Sequence, residues 1–284
     1  MLRLVMIAVI ALSSCSGDAG IPWADADAAP PDRHGVGPVE RDVQGLSHIR
    51  VRRRGTVRTL LFVDKAGVEM RQSQVDLAHP ARLQYPYTRT MFASYLLVPQ
   101  PKRVLIVGLG GGSMVHFLRK YDPAVAIDVV ELDPAVIDVA TDLFAVKPDD
   151  HLAIHEADGL AFLRDTKIRY DVIYLDAFLA VAKDITDDTG TPRHLKAARF
   201  LELVRSRLAP DGAAVFNLHH HPDLQADLDA IRKAFPQLYT FRVSRDGNLI
   251  AVGSAARERR DEAGMRKQAT ALDTDPPPAW IGKR

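Results

Sequence analysis

The chain has 284 residues, 47% of them hydrophobic, so it can bury one large core or one core with a small added domain. Its 37 basic residues nearly balance 36 acidic ones and leave a formal net charge of +1. Because this balance gives no general attraction to nucleic acid, we expect no nucleic-acid partner. The single cysteine, Cys15, excludes a disulfide within one chain.

The first fifteen residues have the layout of an export signal. Arg3 precedes an apolar run over residues 4–12, and two serines and Cys15 follow it. The string LSSC resembles a bacterial lipobox, which implies that Cys15 is lipidated after cleavage. We therefore predict a lipoprotein signal peptide over residues 1–15 and a membrane anchor on Cys15, facing the periplasm or the cell exterior. If the leader is not used, the protein would stay in the cytoplasm.

The next segments differ in composition. Residues 16–45 are rich in Ala, Asp, Gly and Pro and lack periodicity, which predicts a flexible tether. Residues 46–80 contain short β-like runs separated by Gly55 and by a turn at residues 64–67. This pattern predicts a small antiparallel β subdomain. Its strands are expected at residues 49–53, 57–63 and 68–71.

Residues 81–255 alternate between apolar strands and helical patterns after a first helix predicted at residues 86–98. Continuous apolar strands indicate a mostly parallel, doubly wound sheet that is covered on both faces, which is an α/β Rossmann fold. Its strands are expected at residues 104–107, 126–130, 152–154, 172–175 and 213–218. The remaining residues, 256–284, predict a charged C-terminal tail that begins with a surface helix.

A helix start is marked clearly after the second of these strands. Asp133 is suited to cap the helix and Pro134 to occupy its first position. Val136, Val139 and Ala140 then share one apolar face, continued by Leu143.

A glycine-rich loop follows the first strand. It reads Gly108-Leu109-Gly110-Gly111-Gly112-Ser113 and leads into a predicted helix. Glycine lets the backbone approach a ligand closely, and a helix N-terminus offers N–H groups without partners. The spacing is G-x-G-x-G; the dinucleotide pattern would need a glycine at position 113, which counts against NAD.

Acidic residues mark the carboxyl ends of the following strands. Glu131 ends the second strand, Asp158 and Gly159 follow the third, and Asp176 ends the fourth. Open α/β sheets bind ligands at this edge. Together with the glycine loop, these residues predict a pocket for S-adenosylmethionine or a close relative of it.

The strings VLIVGLGGGS, VVELDP, EADGLAFL and YDVIYLDAF, in this order, resemble the spermidine synthase (polyamine aminopropyltransferase) family and its methyltransferase relatives. The resemblance covers about residues 46–253 and implies a class I methyltransferase-like Rossmann fold. It implies S-adenosylmethionine or its decarboxylated form as co-substrate, a small-molecule amine as acceptor, and dimers formed through the β subdomain.

The same resemblance suggests roles for individual residues. Glu131 would hold the ribose, Asp158 the adenine amino group, and Gln72 would face the same pocket. Asp176 matches the catalytic aspartate, which either accepts the proton of the amine or orients the amine by charge.

Three departures from the family pattern bear on the reaction. The aspartate that clamps the aminopropyl amine is replaced by Gly111. The string D-x-x-D-P-x-G-P-A retains only its first aspartate in register, so Asp184, Asp187 and Asp188 are candidate substitutes. Arg89 stands near the expected polyamine path, where it would repel a diamine and could instead pair with the carboxylate of S-adenosylmethionine.

Three functions therefore stay open. The first is aminopropyl transfer to an amine in polyamine biosynthesis, and the second is S-adenosylmethionine-dependent methyl transfer. The third is non-catalytic: an exported lipoprotein that binds a nucleoside or a polyamine. We expect the protein to be a transferase. We expect no metal, because the run of histidines at residues 219–221 alternates faces and lacks a third converging ligand.

Overall fold

The computed structural model describes residues 37–178, 190–192, 197–243 and 247–272. A four-stranded antiparallel meander opens the chain, in the order β1-β2-β3-β4. Its strands are β1 (Val39–Gln44), β2 (His48–Arg54), β3 (Val57–Val63) and β4 (Glu69–Asp76). Val51, Leu60 and Val75 are fully buried on its inner face. The predicted β subdomain is therefore present.

The predicted limits of this subdomain were wrong at its start. Strand β1 lies inside the stretch 16–45 that we predicted as a tether, and it pairs with β2 from Val39 to Gln44. The composition before Val39 is polar, and the strand has only two valines, so its local pattern is weak. Pairing with β2 supplies the order that the sequence of β1 does not show. Residues 1–36, including Cys15, lie outside the described residues.

The single helix predicted at residues 86–98 is two shorter elements. Helix α1 spans Pro86–Met91, and a 3₁₀ helix spans Phe92–Leu96. All five residues of the 3₁₀ helix are buried, so this segment has no solvent face. The Phe92 ring lies 4.4 Å from the Phe117 ring and 5.5 Å from the Tyr174 ring. Packing on all sides thus replaces the amphipathic helix that the sequence pattern predicted.

A seven-stranded sheet forms the larger part of the structure, in the order β10-β11-β9-β8-β5-β6-β7. Strand β11 runs antiparallel to both of its neighbours, and the remaining strands share one direction. The strands are β5 (Arg103–Val107), β6 (Ala126–Glu131), β7 (Leu152–Glu156), β8 (Tyr170–Leu175), β9 (Leu208–Leu218), β10 (Gln237–Arg242) and β11 (Leu249–Ser254). The five predicted parallel strands are confirmed, although β9 begins five residues before its predicted start; β10 and β11 were not predicted.

Helices cover both faces of this sheet. They are α2 (Ser113–Tyr121), α3 (Pro134–Leu143), α4 (Gly159–Asp165), α5 (Ala198–Ser206), α6 (Leu224–Ala234) and α7 (Glu262–Leu272). Helix α3 confirms the predicted start, since the Asp133 side chain accepts a hydrogen bond from the Ala135 N–H and Pro134 is its first residue. No helix within the described ranges is long and apolar enough to cross a membrane.

The fold class is the one predicted: a class I methyltransferase-like Rossmann fold with a small N-terminal antiparallel sheet. From β5 the chain adds β6 and β7 on one side, and then crosses over to add β8 and β9 on the other. The strand order therefore reverses between β5 and β8, which opens a crevice at their carboxyl ends.

Candidate functional site

A pocket of about 1030 Å³, including its open mouth, lies at this reversal point. The N-terminal sheet closes it from the opposite side with side chains of β3 and β4. All eight predicted catalytic and co-substrate-binding residues line it, namely Gln72, Gly108, Gly110, Gly112, Glu131, Asp158, Gly159 and Asp176. The structure thus brings together residues that are far apart in the sequence, while the role of each stays a prediction.

Gly108 follows β5 and packs against the residue that follows β8, the neighbouring strand across the crevice. Its φ is +98°, and a β-carbon there would collide with the carbonyl oxygen of Asp176. The Asp176 N–H in turn donates a 3.0 Å hydrogen bond to the Val107 carbonyl. A side chain at position 108 would therefore be strained and would push the loop away from the end of β8.

Glu131 is buried at the end of β6 and accepts two backbone hydrogen bonds. The Leu109 N–H donates at 2.8 Å and the Asp133 N–H at 3.0 Å. Burial raises the pKa of Glu131, whereas these backbone donors oppose that rise. The carboxyl group is thereby fixed between the glycine loop and the start of α3, where it can accept hydrogen bonds from ligand hydroxyls.

Asp158 and Gly159 start helix α4 at the end of β7. The Asp158 side chain accepts a 2.9 Å hydrogen bond from the Ala161 N–H and caps the helix. Gly159 has no room for a side chain, because a β-carbon would lie 2.8 Å from the Val107 side chain. This close packing holds Asp158 at the pocket wall.

Asp176 occupies the end of β8, and both of its carboxylate oxygens accept hydrogen bonds. The Asn217 side-chain amide donates to Oδ1 at 2.7 Å, and the Tyr87 hydroxyl donates to Oδ2 at 3.3 Å. Burial raises the pKa of Asp176 to about 6, even though both donors favour its charged form. Asp176 is therefore a carboxylate at neutral pH that can take up a proton just below it.

The Asn217 amide has a fixed orientation. Its oxygen accepts a 2.7 Å hydrogen bond from the Asn248 side-chain amide, so its nitrogen must face Asp176. The same Asn248 nitrogen lies 3.3 Å from His219 Nε2. The end of β9 and the residue just before β11 thus supply a chain of polar contacts that ends on the Asp176 carboxylate.

Gly111 is enclosed, so a side chain at this position would press against its neighbours. A β-carbon at this position would lie 2.8 Å from Phe144 Cδ1 and 2.9 Å from Ser73 Oγ. An aspartate would have to displace a buried ring and a side chain of the N-terminal sheet. The predicted loss of the amine clamp is therefore built into the packing around the loop.

The pocket wall is acidic. Glu131, Asp133, Asp158 and Asp176 line it, and the described lining residues include no lysine, arginine or histidine. Arg89 lies on α1 and is not among them, so the structure does not support the predicted pairing of Arg89 with a carboxylate in this pocket. Such a wall favours a ligand that carries positive charge.

Two further sequence expectations concern acids and histidines. The candidate substitutes Asp184, Asp187 and Asp188 lie outside the described residues. In the described ranges, no group of three or more His, Cys, Asp or Glu side chains could hold a metal. Within the histidine run, His221 pairs instead with Asp227 at 2.8 Å.

Sequence reasoning missed three pocket neighbours. Tyr87, Asn217 and Ser73 were not singled out from the sequence. The signal for Asn217 was available, because it is a lone polar residue near the carboxyl end of an apolar strand, the same position that drew attention to Asp176. Ser73 offered no such signal in a polar strand.

The order of this sheet, its glycine loop and its acidic strand ends are typical of Rossmann-fold transferases of the class I methyltransferase-like type. The family model of the spermine/spermidine synthase domain matches residues 84–243. The chain belongs to this family.

Relatives of this chain include aminopropyltransferases and methyltransferases. Polyamine aminopropyltransferase of Vibrio vulnificus is 28% identical over 219 residues, which are 76% of this chain and 71% of that protein. The eEF1A lysine and N-terminal methyltransferase of Bos taurus is 35% identical over 164 residues, which are 55% of this chain but 23% of that protein. The solved structure of human methyltransferase-like protein 13 in complex with SAH is 28% identical with a TM-score of 0.60, and the match covers 66% of this chain and 91% of that one.

Proposed function

We propose that this protein transfers the methyl group of S-adenosylmethionine to the nitrogen of an amine. The observation that carries this choice is the enclosure of Gly111 by Phe144 and Ser73. An aminopropyltransferase of the family pattern needs a carboxylate there to hold the amine of its decarboxylated donor, and an aspartate at this position would press against Phe144 and Ser73. We therefore propose S-adenosylmethionine, which retains its carboxylate, as the donor.

The acidic wall supports an amine as the acceptor. A protonated amine and a sulfonium are both cations, and four carboxylates line the pocket. Asp176 stands at the end of β8 with a pKa of about 6, so it is ionised at neutral pH. It can accept a hydrogen bond from the amine nitrogen and direct the nitrogen lone pair.

The reaction consists of one displacement. The ammonium form of the acceptor first loses a proton, either to the Asp176 carboxylate or to solvent. The nitrogen lone pair then forms a bond to the methyl carbon, and the bond from that carbon to sulfur breaks. S-adenosylhomocysteine leaves as a neutral thioether, and the second proton of the methylated amine is lost to the same acceptors if the product is neutral.

The comparisons support this choice without extending to a substrate. Methyltransferase relatives are 28–35% identical to this chain and aminopropyltransferase relatives 28–31%, so identity alone does not separate the two reactions. The human methyltransferase-like protein 13 was solved with SAH, the product of methyl transfer from S-adenosylmethionine. The acceptor of this chain is proposed only as a class, an amine.

Aminopropyl transfer is the second candidate, and the N-terminal sheet favours it. The chain matches 71% of the length of the Vibrio vulnificus aminopropyltransferase, and Gln72 lines the pocket as the family resemblance implies. In that reaction the amine would attack the propyl carbon next to the sulfonium and release 5′-methylthioadenosine.

Isothermal titration calorimetry separates the two donors. For methyl transfer, wild-type protein should bind S-adenosylmethionine at least about tenfold more tightly than the decarboxylated donor, which lacks the carboxylate. The opposite order would reject methyl transfer in favour of aminopropyl transfer. Mass spectrometry of incubations with each donor and putrescine, or with lysine-containing peptides, then identifies the product. Binding with no product from any amine would favour the non-catalytic alternative, a binding protein for nucleosides or polyamines.

The cellular location is a separate proposal that rests on the sequence of residues 1–15 alone. The protein would be exported and anchored to a membrane by a lipid on Cys15. The wild type should then enter the membrane fraction and incorporate labelled fatty acid, and a Cys15→Ser variant should do neither.

A homodimer through the N-terminal sheet is proposed on the family resemblance, and sedimentation of the purified protein tests it.

A further inference from the structure

Ser73 carries a hydroxyl group at the pocket wall that has no hydrogen-bond partner among the described residues. It lies on β4, is 7% exposed and lines the pocket. No hydrogen bond reaches its hydroxyl from any residue that the structure describes. The hydroxyl oxygen itself is not completely buried, so it is open to the contents of the pocket. The Ser73 hydroxyl is therefore positioned for a ligand in the pocket.

The position of Ser73 identifies the part of the ligand that it meets. Its Oγ lies 3.6 Å from the place of a β-carbon on Gly110 and 2.9 Å from the place of one on Gly111. Glu131 contacts the loop earlier, at Leu109, and Asp176 contacts it at Gly108. Ser73 thus faces the last part of the loop, beyond the predicted ribose position and next to the start of α2.

The start of helix α2 adds further donors at the same place. Gly112 precedes the helix with a φ of +70° and offers no side chain as a cap, while Ser113 and Met114 line the pocket. N–H groups in the first turn of a helix lack intrahelical acceptors and lie at the positive end of the helix dipole. They suit an anionic group.

The charge of the pocket wall limits which groups can bind the carboxylate of the donor. S-adenosylmethionine carries a carboxylate, yet the described lining residues provide no cationic side chain for it. The Ser73 hydroxyl and the first N–H groups of α2 are adjacent neutral donors that can bind the carboxylate. We infer that Ser73 is a donor-selecting residue whose hydroxyl, with the N-terminus of α2, binds the amino-acid end of S-adenosylmethionine. This inference rests on the proposed function, because it assumes a donor that retains its carboxylate.

A Ser73→Ala variant of the full chain tests this role with two ligands that share an adenosine part. S-adenosylhomocysteine has the amino-acid end, and 5′-methylthioadenosine lacks it. Calorimetry should show about tenfold weaker binding of S-adenosylhomocysteine by the variant, as expected for the loss of a hydrogen bond to a charged group. Binding of 5′-methylthioadenosine should stay within about twofold of wild type, which also shows that the variant is folded.

Ser254→Ala is the matched control, since Ser254 is a buried serine (3% exposed) on β11 that does not line the pocket. It should bind both ligands as wild type does. Equal weakening of both ligands by Ser73→Ala, or unchanged binding of both, would overturn the role of Ser73 and leave the proposed function standing. If wild-type protein bound 5′-methylthioadenosine but not S-adenosylhomocysteine, both the proposed function and the role of Ser73 would be rejected.

Discussion

The Asn217 side chain on β9 donates a 2.7 Å hydrogen bond to the Asp176 carboxylate on the neighbouring strand β8. This contact opposes the effect of burial, which raises the pKa of Asp176 to about 6. The pKa of Asp176 therefore reflects a balance between burial, which raises it, and two hydrogen-bond donors, which lower it. Each side of this balance can be altered by a single substitution.

Replacing Asp176 with asparagine should remove a pH-dependent cost from the folded state. The folded pKa of about 6 is above the ordinary value of 3.8, so the folded protein binds more protons between these values and loses stability as pH rises through them. The new amide oxygen can still accept from Asn217, and the new amide nitrogen can donate to the Tyr87 hydroxyl. At pH 7.5 we expect Asp176→Asn to unfold at a higher urea concentration, with up to about 2 kcal/mol added to the free energy of unfolding. Methyl transfer by the variant should be at least about 100-fold slower.

Urea titrations at several pH values between about 4 and 7.5 test whether the stability gained by the variant over wild type grows as pH rises. The stability difference between variant and wild type should vanish as pH approaches the lower limit, where Asp176 is protonated in the folded protein. A difference of the same size at every pH would show that charge on Asp176 does not cause it.

Removal of the Asn217 amide should raise the pKa of Asp176 further. Asn217→Ala loses a donor that favours the charged carboxylate, so the rising limb of the kcat/KM profile should move up by about one pH unit. Tyr87→Phe should cause a smaller shift in the same direction, because its hydrogen bond is 3.3 Å long against 2.7 Å. Activity of both variants should approach wild type at high pH.

Asn248→Ala separates positioning from direct contact in the same experiment. It leaves the Asn217 amide in place but frees it to rotate, since the 2.7 Å hydrogen bond to its oxygen is lost. We expect an upward shift smaller than that of Asn217→Ala. A purely structural role would lower the rate equally at all pH values, and that result would contradict the network described for Asp176.

Introduction of an aspartate at position 111 should be limited by space. Gly111→Asp would press against the Phe144 ring and Ser73, and we expect a loss of about 1–3 kcal/mol in the free energy of unfolding. Adding Phe144→Leu should recover part of that loss, because it makes room for the new side chain. The coupling energy of the double-mutant cycle, obtained by urea unfolding, measures this recovery.

Gly55→Asp is the control for the same change in an open turn. Gly55 has a positive φ, but a β-carbon added there would have no atom within 4 Å, so only backbone strain applies. Its cost should not couple to Phe144→Leu. Equal coupling at positions 55 and 111 would argue against a steric cause.

Glu131→Gln should weaken both adenosine ligands equally. The glutamine amide would have to present its N–H₂ group to either the Leu109 N–H or the Asp133 N–H, both of which are donors. We expect at least about tenfold weaker binding of S-adenosylhomocysteine and of 5′-methylthioadenosine alike, because both contain the ribose predicted to lie at Glu131. Calorimetry measures both affinities, and a loss confined to one ligand would exclude a ribose contact.

The sequence was informative where local pattern and fold coincide. Apolar strands that end in Glu131 or Asp176 follow from the rule that open α/β sheets bind ligands at their carboxyl edge, so the pocket could be predicted before its geometry was seen. Strands β1 and β10 are short runs of mixed polarity that gain their order from pairing with neighbours, whereas the apolar run of β11 was a strand signal that the prediction missed. Ser73 and Phe144 meet Gly111 from distant parts of the chain, and such contacts have no local signature.

The N-terminal sheet provides Ser73 and Gln72 to a pocket whose other predicted contacts belong to the Rossmann sheet. With the proposed role of Ser73, the choice between the two donors and the chemistry at the acceptor would be encoded in separate parts of the chain. Substitutions on β4 could change which donor enters while Asp176 and its partners stay as they are. Such a division would let one ancestral framework give rise to both methyl and aminopropyl transfer through changes in a single peripheral strand.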